Sequence, residues 1–282
     1  MDILKAISSD RRYTLHSHTQ FCDGHAPMQD FVEAAIAAGF TNYGFSPHSP
    51  VPIESPCIMS FDDVPRYLAE FARLKELYSG RINLYASMEI DYFGPDWGPS
   101  NEYFVNLPLD YRIGSVHFIK AKDGEIIDVD GSAERFKANM ALHFGNDVRY
   151  VAETFFNSSV AMVEAGGFDI IGHFDKIAQN LSYYQPGVEE CSWYRSLVDD
   201  FVSLICSRKP IVEVNTKAKV LHGRIFPSER YLPRLIDAGV HIVVNSDAHE
   251  PRLIDASRDY AFDLIDRYET LSATRKNNCV AL

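Results

Sequence analysis

Leu15-His16-Ser17-His18-Thr19, with Asp23 shortly after it, is the stretch on which the fold turns. Side chains alternate along an extended backbone, so imidazoles two residues apart point to the same side. Arg12-Tyr13-Thr14-Leu15 ahead of the pair is aromatic or β-branched, as suits a strand. His16 and His18 therefore stand at a strand's end, spaced to grip one divalent ion. A lone His-x-His pair is weak evidence. Its weight comes from the later strand-like segments, which end in the same His, Asp and Glu side chains.

Those segments cover residues 13–18, 42–48, 82–89, 111–117, 169–173, 211–215 and 241–247. Between them the apolar residues recur at helical spacing, which predicts helices over 28–38, 62–78, 133–141, 147–165, 192–207 and 229–238. Asp62 is a candidate N-cap, and Gly39, Gly80, Gly166 and Gly239 follow helix ends. Strand and helix in alternation imply parallel strands with right-handed crossovers. The expected architecture is α/β: a distorted, TIM-like barrel of seven strands. No linker divides the chain, so residues 1–282 are read as one domain. Loops following the strands form the active face of such a barrel, and the Pro- and Gly-rich segments 50–60 and 92–108 are expected to roof it.

Composition narrows the function. Of 282 residues, 46% are apolar and 23% charged, which is usual for a globular enzyme. A net charge of −12 weighs against binding nucleic acid or an anionic membrane, since neither basic stripe nor basic tail offsets it. No apolar run is long enough to span a bilayer and no signal peptide opens the chain. Cys22, Cys57, Cys191, Cys206 and Cys279 are odd in number, with no CxxC pair, so no disulfide framework is expected and a cytoplasmic location is. Cys22 beside Asp23 could be a ligating thiol, though a packed free thiol is the commoner case.

In a parallel barrel every strand end lies on one rim. His16, His18, Asp23, His48, Glu89, His117, His173, Asp247 and His249 thus converge. Singly each has an ordinary explanation: a hydrogen-bonded histidine, an Asp-Gly turn at Asp23, a helix N-cap at Asp247. Glu89 interrupts the apolar run Ala86-Ser87-Met88-Glu89-Ile90, where a buried carboxylate needs a cation or a strong donor. One catalytic zinc takes three protein ligands and a water, so nine ligands suit a cluster of two or three ions. His25, His143, His222 and His241 are read as structural.

The ordered set of Ser46-Pro47-His48, Glu89-Ile90-Asp91-Tyr92, Gly114-Ser115-Val116-His117, Gly172-His173-Phe174-Asp175, Glu213-Val214-Asn215-Thr216 and Asn245-Ser246-Asp247-Ala248-His249, with the opening His-x-His, resembles the PHP (polymerase and histidinol phosphatase) superfamily. The monofunctional histidinol-phosphatase branch fits best, and the likeness runs from Thr14 to about Ala256. It implies three ions of zinc, iron or manganese. His16, His18, Glu89 and Asp247 would hold the first; Glu89 would bridge to a second on His117 and His173. Asp23, His48 and His249 would hold the third, with Asp23 at a position where the family varies.

Charge then dictates the chemistry. Two ions roughly 3.5–4 Å apart can share a hydroxide and clamp attacking and leaving oxygens, which implies in-line attack on a small-molecule phosphate monoester without a phosphoenzyme. Glu89, Asp247 and His249 are the candidate catalytic residues, Asp247, His249 or water being able to protonate the leaving alkoxide. Arg224 and Lys217, and below them Arg252, are the basic candidates for phosphate. The branch points to L-histidinol phosphate, whose amine could meet Asp91, Asp96 or Glu102. A PHP nuclease or nucleotidase is the main rival. An amidohydrolase barrel would need a carboxylated lysine after the fourth strand, where His117 stands; a non-catalytic metal-binding module is the third alternative. Oligomeric state is left open by the sequence.

Overall fold

The computed structural model describes residues 3–8 and 10–280. Parallel strands form its centre: β1 (Tyr13–Thr14), β2 (Asn42–Phe45), β3 (Asn83–Ala86), β4 (Glu89–Asp91), β5 (Ile113–Ser115), β8 (Ile170–Ile171), β9 (Ile211–Asn215) and β10 (Ile242–Asn245). Between β5 and β8 lies an antiparallel hairpin, β6 (Phe118–Lys120) and β7 (Ile126–Asp128), which the apolar pattern does not announce. The fold is α/β with parallel sheets, as expected. The strands pair as two sheets, β1-β2-β3 and β10-β9-β8-β5-β4.

The segment expected as one strand over 82–89 explains the division. It breaks at Ser87-Met88; β3 pairs with β2 on one side, and β4 with β5 on the other. Single bridges span both seams, His48 with Glu89 and Ser17 with Ala248.

Six helices meet the amphipathic pattern: Met28–Ala37, Val64–Leu77, Ala133–Leu142, Val148–Ala165, Ser192–Arg208 and Leu232–Asp237. Their apolar faces feed two cores. One is built on Phe31, Tyr43, Phe45, Tyr67 and Leu74 over the smaller sheet. The other gathers Ile113, Phe156, Phe201, Val212 and Val243 around the larger. Asp62 is not the N-cap: Ser60 accepts from the Asp63 amide at 3.1 Å, and a 3₁₀ turn, Phe61–Asp63, precedes the helix. The helix Arg258–Val280 goes unsignalled because charged residues interrupt its apolar face. Its Arg258 is 2% exposed; the guanidinium donates to the Tyr13 and Val244 carbonyls, tying this helix beneath β1 and β10. Among the described residues no helix is long and apolar enough to cross a membrane.

Gly44 in β2 permits the closest approach in the smaller sheet. A Cβ there would lie 2.0 Å from the Tyr111 hydroxyl and 3.1 Å from Leu15 Cα, and Tyr111 is itself held by the Leu15 carbonyl. Gly44→Ala is therefore expected to lower stability by about 1–3 kcal/mol or more, the cost of overpacking a filled core. Urea denaturation reads this as a lower midpoint at unchanged slope; an unchanged midpoint would contradict the packing described.

Candidate metal centre

Seven of the nine expected ligands sit just past the end of a parallel strand. His16 and His18 follow β1, His48 follows β2, Glu89 opens β4, His117 follows β5, His173 follows β8, and Asp247 and His249 follow β10. Asp23 comes from a turn closed by the Cys22 and Gly24 amides on the Thr19 carbonyl. Asp247 holds a left-handed backbone (φ 50°), which Asp tolerates better than most residues. All nine side chains come together. They form four overlapping sets whose ligand atoms lie within 4.8 Å of one another: His16, His18 and Glu89; His16, His173 and Asp247; His48, Glu89 and His117; and His18, Asp23, His48 and His249. His18 thus faces both the first and the third of the expected groups.

Glu89 is the hub. One oxygen lies 2.8 Å from His173 Nε2 and 3.3 Å from His117 Nε2, and accepts from the Ser115 hydroxyl at 2.7 Å. The other lies 3.2 Å from His16 Nε2, 3.2 Å from His48 Nδ1 and 3.6 Å from His18 Nε2. Asp247 Oδ1 is 2.9 Å from His18 Nε2, and Asp23 lies 3.3 Å from His18 and 3.4 Å from His249.

The donor set fits divalent cations. His16 Nε2, His48 Nδ1, Asp23 Oδ1 and Asp247 Oδ1 are buried with no hydrogen-bond partner, all on the inside of the cage. Glu89, Asp91, Glu213 and Asp247 are at most 1% exposed, an accumulation of negative charge that costs several kcal/mol per ion unless balanced. Without cations, protons do the balancing. Burial alone would depress His16, but Glu213, Glu89 and Asp247 outweigh it and push the imidazole up to about 10. His18 and His117 rise likewise, burial being overcome by Asp23 and Asp247 in one case and by Asp91 and Glu89 in the other. Burial wins at His249, helped by His18 and Lys217, and takes it down to about 4. A mixed set of imidazole and carboxylate suits zinc, iron or manganese alike.

The three basic candidates separate. Lys217 stands at the site, its Nζ 3.1 Å from His249 Nε2 and 3.6 Å from Asp247. Arg224 does not: it is held by Glu189 at 3.1 Å and lines a different cavity. Arg252 is an exposed side chain paired with Glu250. Both lie off the cage because each is held by another carboxylate, Arg252 by one two residues away and Arg224 by one well back along the chain.

A cleft of about 450 Å³ opens over the cage, walled by Asp23, His48, His117 and His249 on the metal side and by Cys57, Asp128 and Arg135 opposite. The 50–60 loop contributes Pro56 and Cys57, as expected of a roof. The 92–108 loop does not line it; Trp97 instead stacks on Tyr103, and the far wall comes from the turn after β7. Asp96 and Glu102 do not line the cleft either, and Asp91 lies behind the cage, accepting from the His117 amide at 2.8 Å and facing its Nδ1 at 3.0 Å. Cys22 Sγ lies 3.6 Å from His18 Nδ1. Cys22, Cys57, Cys191 and Cys206 are free thiols, and the Cys279 side chain lies outside the described residues.

Sequence reasoning missed Lys176, a largely buried ammonium 2.6 Å from Asp130 and 4.0 Å from Asp247. It missed the role of Glu213 too, although Glu213 interrupts Ile211-Val212-Glu213-Val214 just as Glu89 interrupts its own run.

Comparison with known proteins agrees with this geometry. The PHP domain model matches residues 14–217. A Schizosaccharomyces pombe protein named "Probable histidinol-phosphatase" is 26% identical over 274 residues, covering 89% of this chain and 85% of its own. The Bacillus subtilis histidinol-phosphatase is 23% identical over 251 residues, covering 83% and 92%. The crystal structure of histidinol phosphate phosphatase from Lactococcus lactis, complexed with zinc, L-histidinol and phosphate, superposes with a TM-score of 0.65 at 18% identity, covering 91% of this chain and 93% of that one.

Two outcomes follow from the cage. Cations entering at pH 8 must displace a proton from His16, held up at about 10, so binding releases protons; calorimetry of zinc binding in buffers of different ionisation enthalpy should give buffer-dependent heats, and identical heats would contradict the charge balance. Glu89→Gln should lower bound metal in elemental analysis by more than one ion's worth, and full occupancy would mean that Glu89 is not the bridge.

Proposed function

The chain belongs to the PHP domain family, and on that footing we propose that it is a metal-dependent phosphomonoesterase whose substrate is L-histidinol phosphate. The observation that carries the reading is the convergence on Glu89 of His16, His18, His48, His117 and His173. The histidinol-phosphatase names of its relatives supply the substrate. We read the two parallel sheets as one distorted seven-stranded barrel and residues 1–282 as a single domain of a soluble, cytoplasmic enzyme.

In this reading His16, His18, Asp23, His48, Glu89, His117, His173, Asp247 and His249 hold three ions of zinc, iron or manganese. Ions held there would supply positive charge to the phosphoryl oxygens and lower the proton affinity of water near neutral pH, the chemistry that in-line attack on phosphorus needs. The chain's own part is to position and to neutralise. Lys217 stands on the open side of Asp247 and His249. With those two side chains serving as ligands, its ammonium would be free to pair with a phosphoryl oxygen. Lys176 adds a second fixed positive charge on the other face of Asp247. The leaving alkoxide would take its proton from water at the rim, since burial and its cationic neighbours leave His249 unprotonated and the charges around Asp247 keep it ionised.

Phosphate release from L-histidinol phosphate, compared with a nucleoside monophosphate, tests the substrate. The expected result is a strong preference for the amino alcohol ester and loss of turnover with a chelator. Preference for the nucleotide would favour a nucleotidase, and chelator-resistant turnover would end the metal mechanism. Lys217→Met should lower kcat/KM by about 10- to 100-fold, equivalent to the ~1.5–3 kcal/mol of a hydrogen bond to a charged group. Arg252→Ala, far from the cleft, should leave it unchanged. Equal kinetics for the two variants would remove Lys217 from phosphate binding.

A further inference from the structure

Glu213 is fully buried and belongs to none of the sets able to hold an ion. Its carboxylate is nonetheless surrounded by donors. Oε1 accepts from His16 Nδ1 at 2.6 Å and from Asn245 Nδ2 at 2.9 Å. Oε2 accepts from the His173 backbone amide at 3.0 Å and from Asn215 Nδ2 at 3.1 Å. The four donors come from the ends of β1, β8, β9 and β10.

Neither asparagine can turn its amide round. Asn245 Oδ1 accepts from the Leu15 amide at 2.8 Å, and Asn215 Oδ1 from the Lys217 amide at 3.0 Å. Each NH₂ group is thereby fixed toward Glu213. The position thus needs an acceptor on both oxygens, which an ionised carboxylate offers and a glutamine does not. Because Glu213 takes the Nδ1 hydrogen of His16, the nitrogen that gives up its proton to a cation, and so offers the lone pair, is Nε2. Nε2 is the buried nitrogen without a partner, 3.2 Å from Glu89.

We propose that Glu213 is a positioning residue of the metal centre. It fixes the His16 tautomer that can bind a cation and anchors the His173 backbone, so that ligands of two neighbouring ions share one buried orienting group. A carboxylate behind a metal-bound histidine raises the ligand's basicity and holds its ring, and loss of such a partner typically costs about 10–100-fold in metal affinity. The proposal rests on the reading of the cage as a cation site.

The test uses the full chain, stripped and titrated with cobalt(II) alone. Glu213→Gln should fold, bind cobalt about 10–100-fold more weakly, and show altered visible d–d bands; Glu213→Asp should recover part of the affinity and of the spectrum. Wild-type affinity and spectrum in Glu213→Gln, with only the melting temperature lowered, would make Glu213 a merely structural carboxylate and overturn the proposal. Should Glu213→Gln not fold, nitrogen-15 NMR of histidine side chains in the zinc-loaded wild type decides: a hydrogen on His16 Nδ1 is expected, and its absence overturns the proposal. Wild type that takes up no cobalt would overturn the reading of the cage itself, and this proposal with it.

Discussion

Uncompensated negative charge at the strand ends is the constraint from which the rest of this structure follows. Glu89, Asp91, Glu213 and Asp247 are all sealed from solvent. A core of the same shape built from apolar residues would be at least as stable, because desolvating carboxylates commonly costs more than their pairing returns. Their presence makes sense only if something positive shares the space. The imidazoles answer the geometric half of that need, since neutral ones offer lone pairs and charged ones offer protons. The short parallel strands answer the other half by delivering every such side chain to one rim.

The sheets carry the same imprint. The two seams between them are single bridges at Ser17 with Ala248 and at His48 with Glu89. Ser17 lies between two ligands, Ala248 lies between two more, and the other bridge joins two outright. Continuous pairing stops where ligands accumulate.

How much of this the amino-acid order revealed follows from what kind of signal each part leaves. The strands and six helices leave periodicity, and they were readable to within a few residues. The nine candidate ligands leave a chemical signal, His, Asp and Glu at apolar segment ends, and all nine side chains meet. Supporting groups leave less. Asn215 and Asn245 look like ordinary strand-end polar residues, and their meaning lies in which atoms their amides face. Lys176 was hidden because a lysine reads as solvated until burial is known. Arg224 misled for the converse reason: its loop was on the correct side, but Glu189, distant in sequence, captured it. The break at Ser87-Met88 leaves no trace in hydrophobicity, since both halves are buried.

The left-handed backbone at Asp247 has a consequence for how this site can vary. Branched and bulky side chains are strained in that conformation, so the backbone there favours Gly, Asn and Asp. Of these only Asp brings a charge. None of the other eight side chains of the cage stands on a left-handed backbone. At Asp247, a β-branched or bulky replacement would strain the turn after β10. Any drift of this scaffold toward a different metal complement has its freedom at the other positions, with this corner standing still.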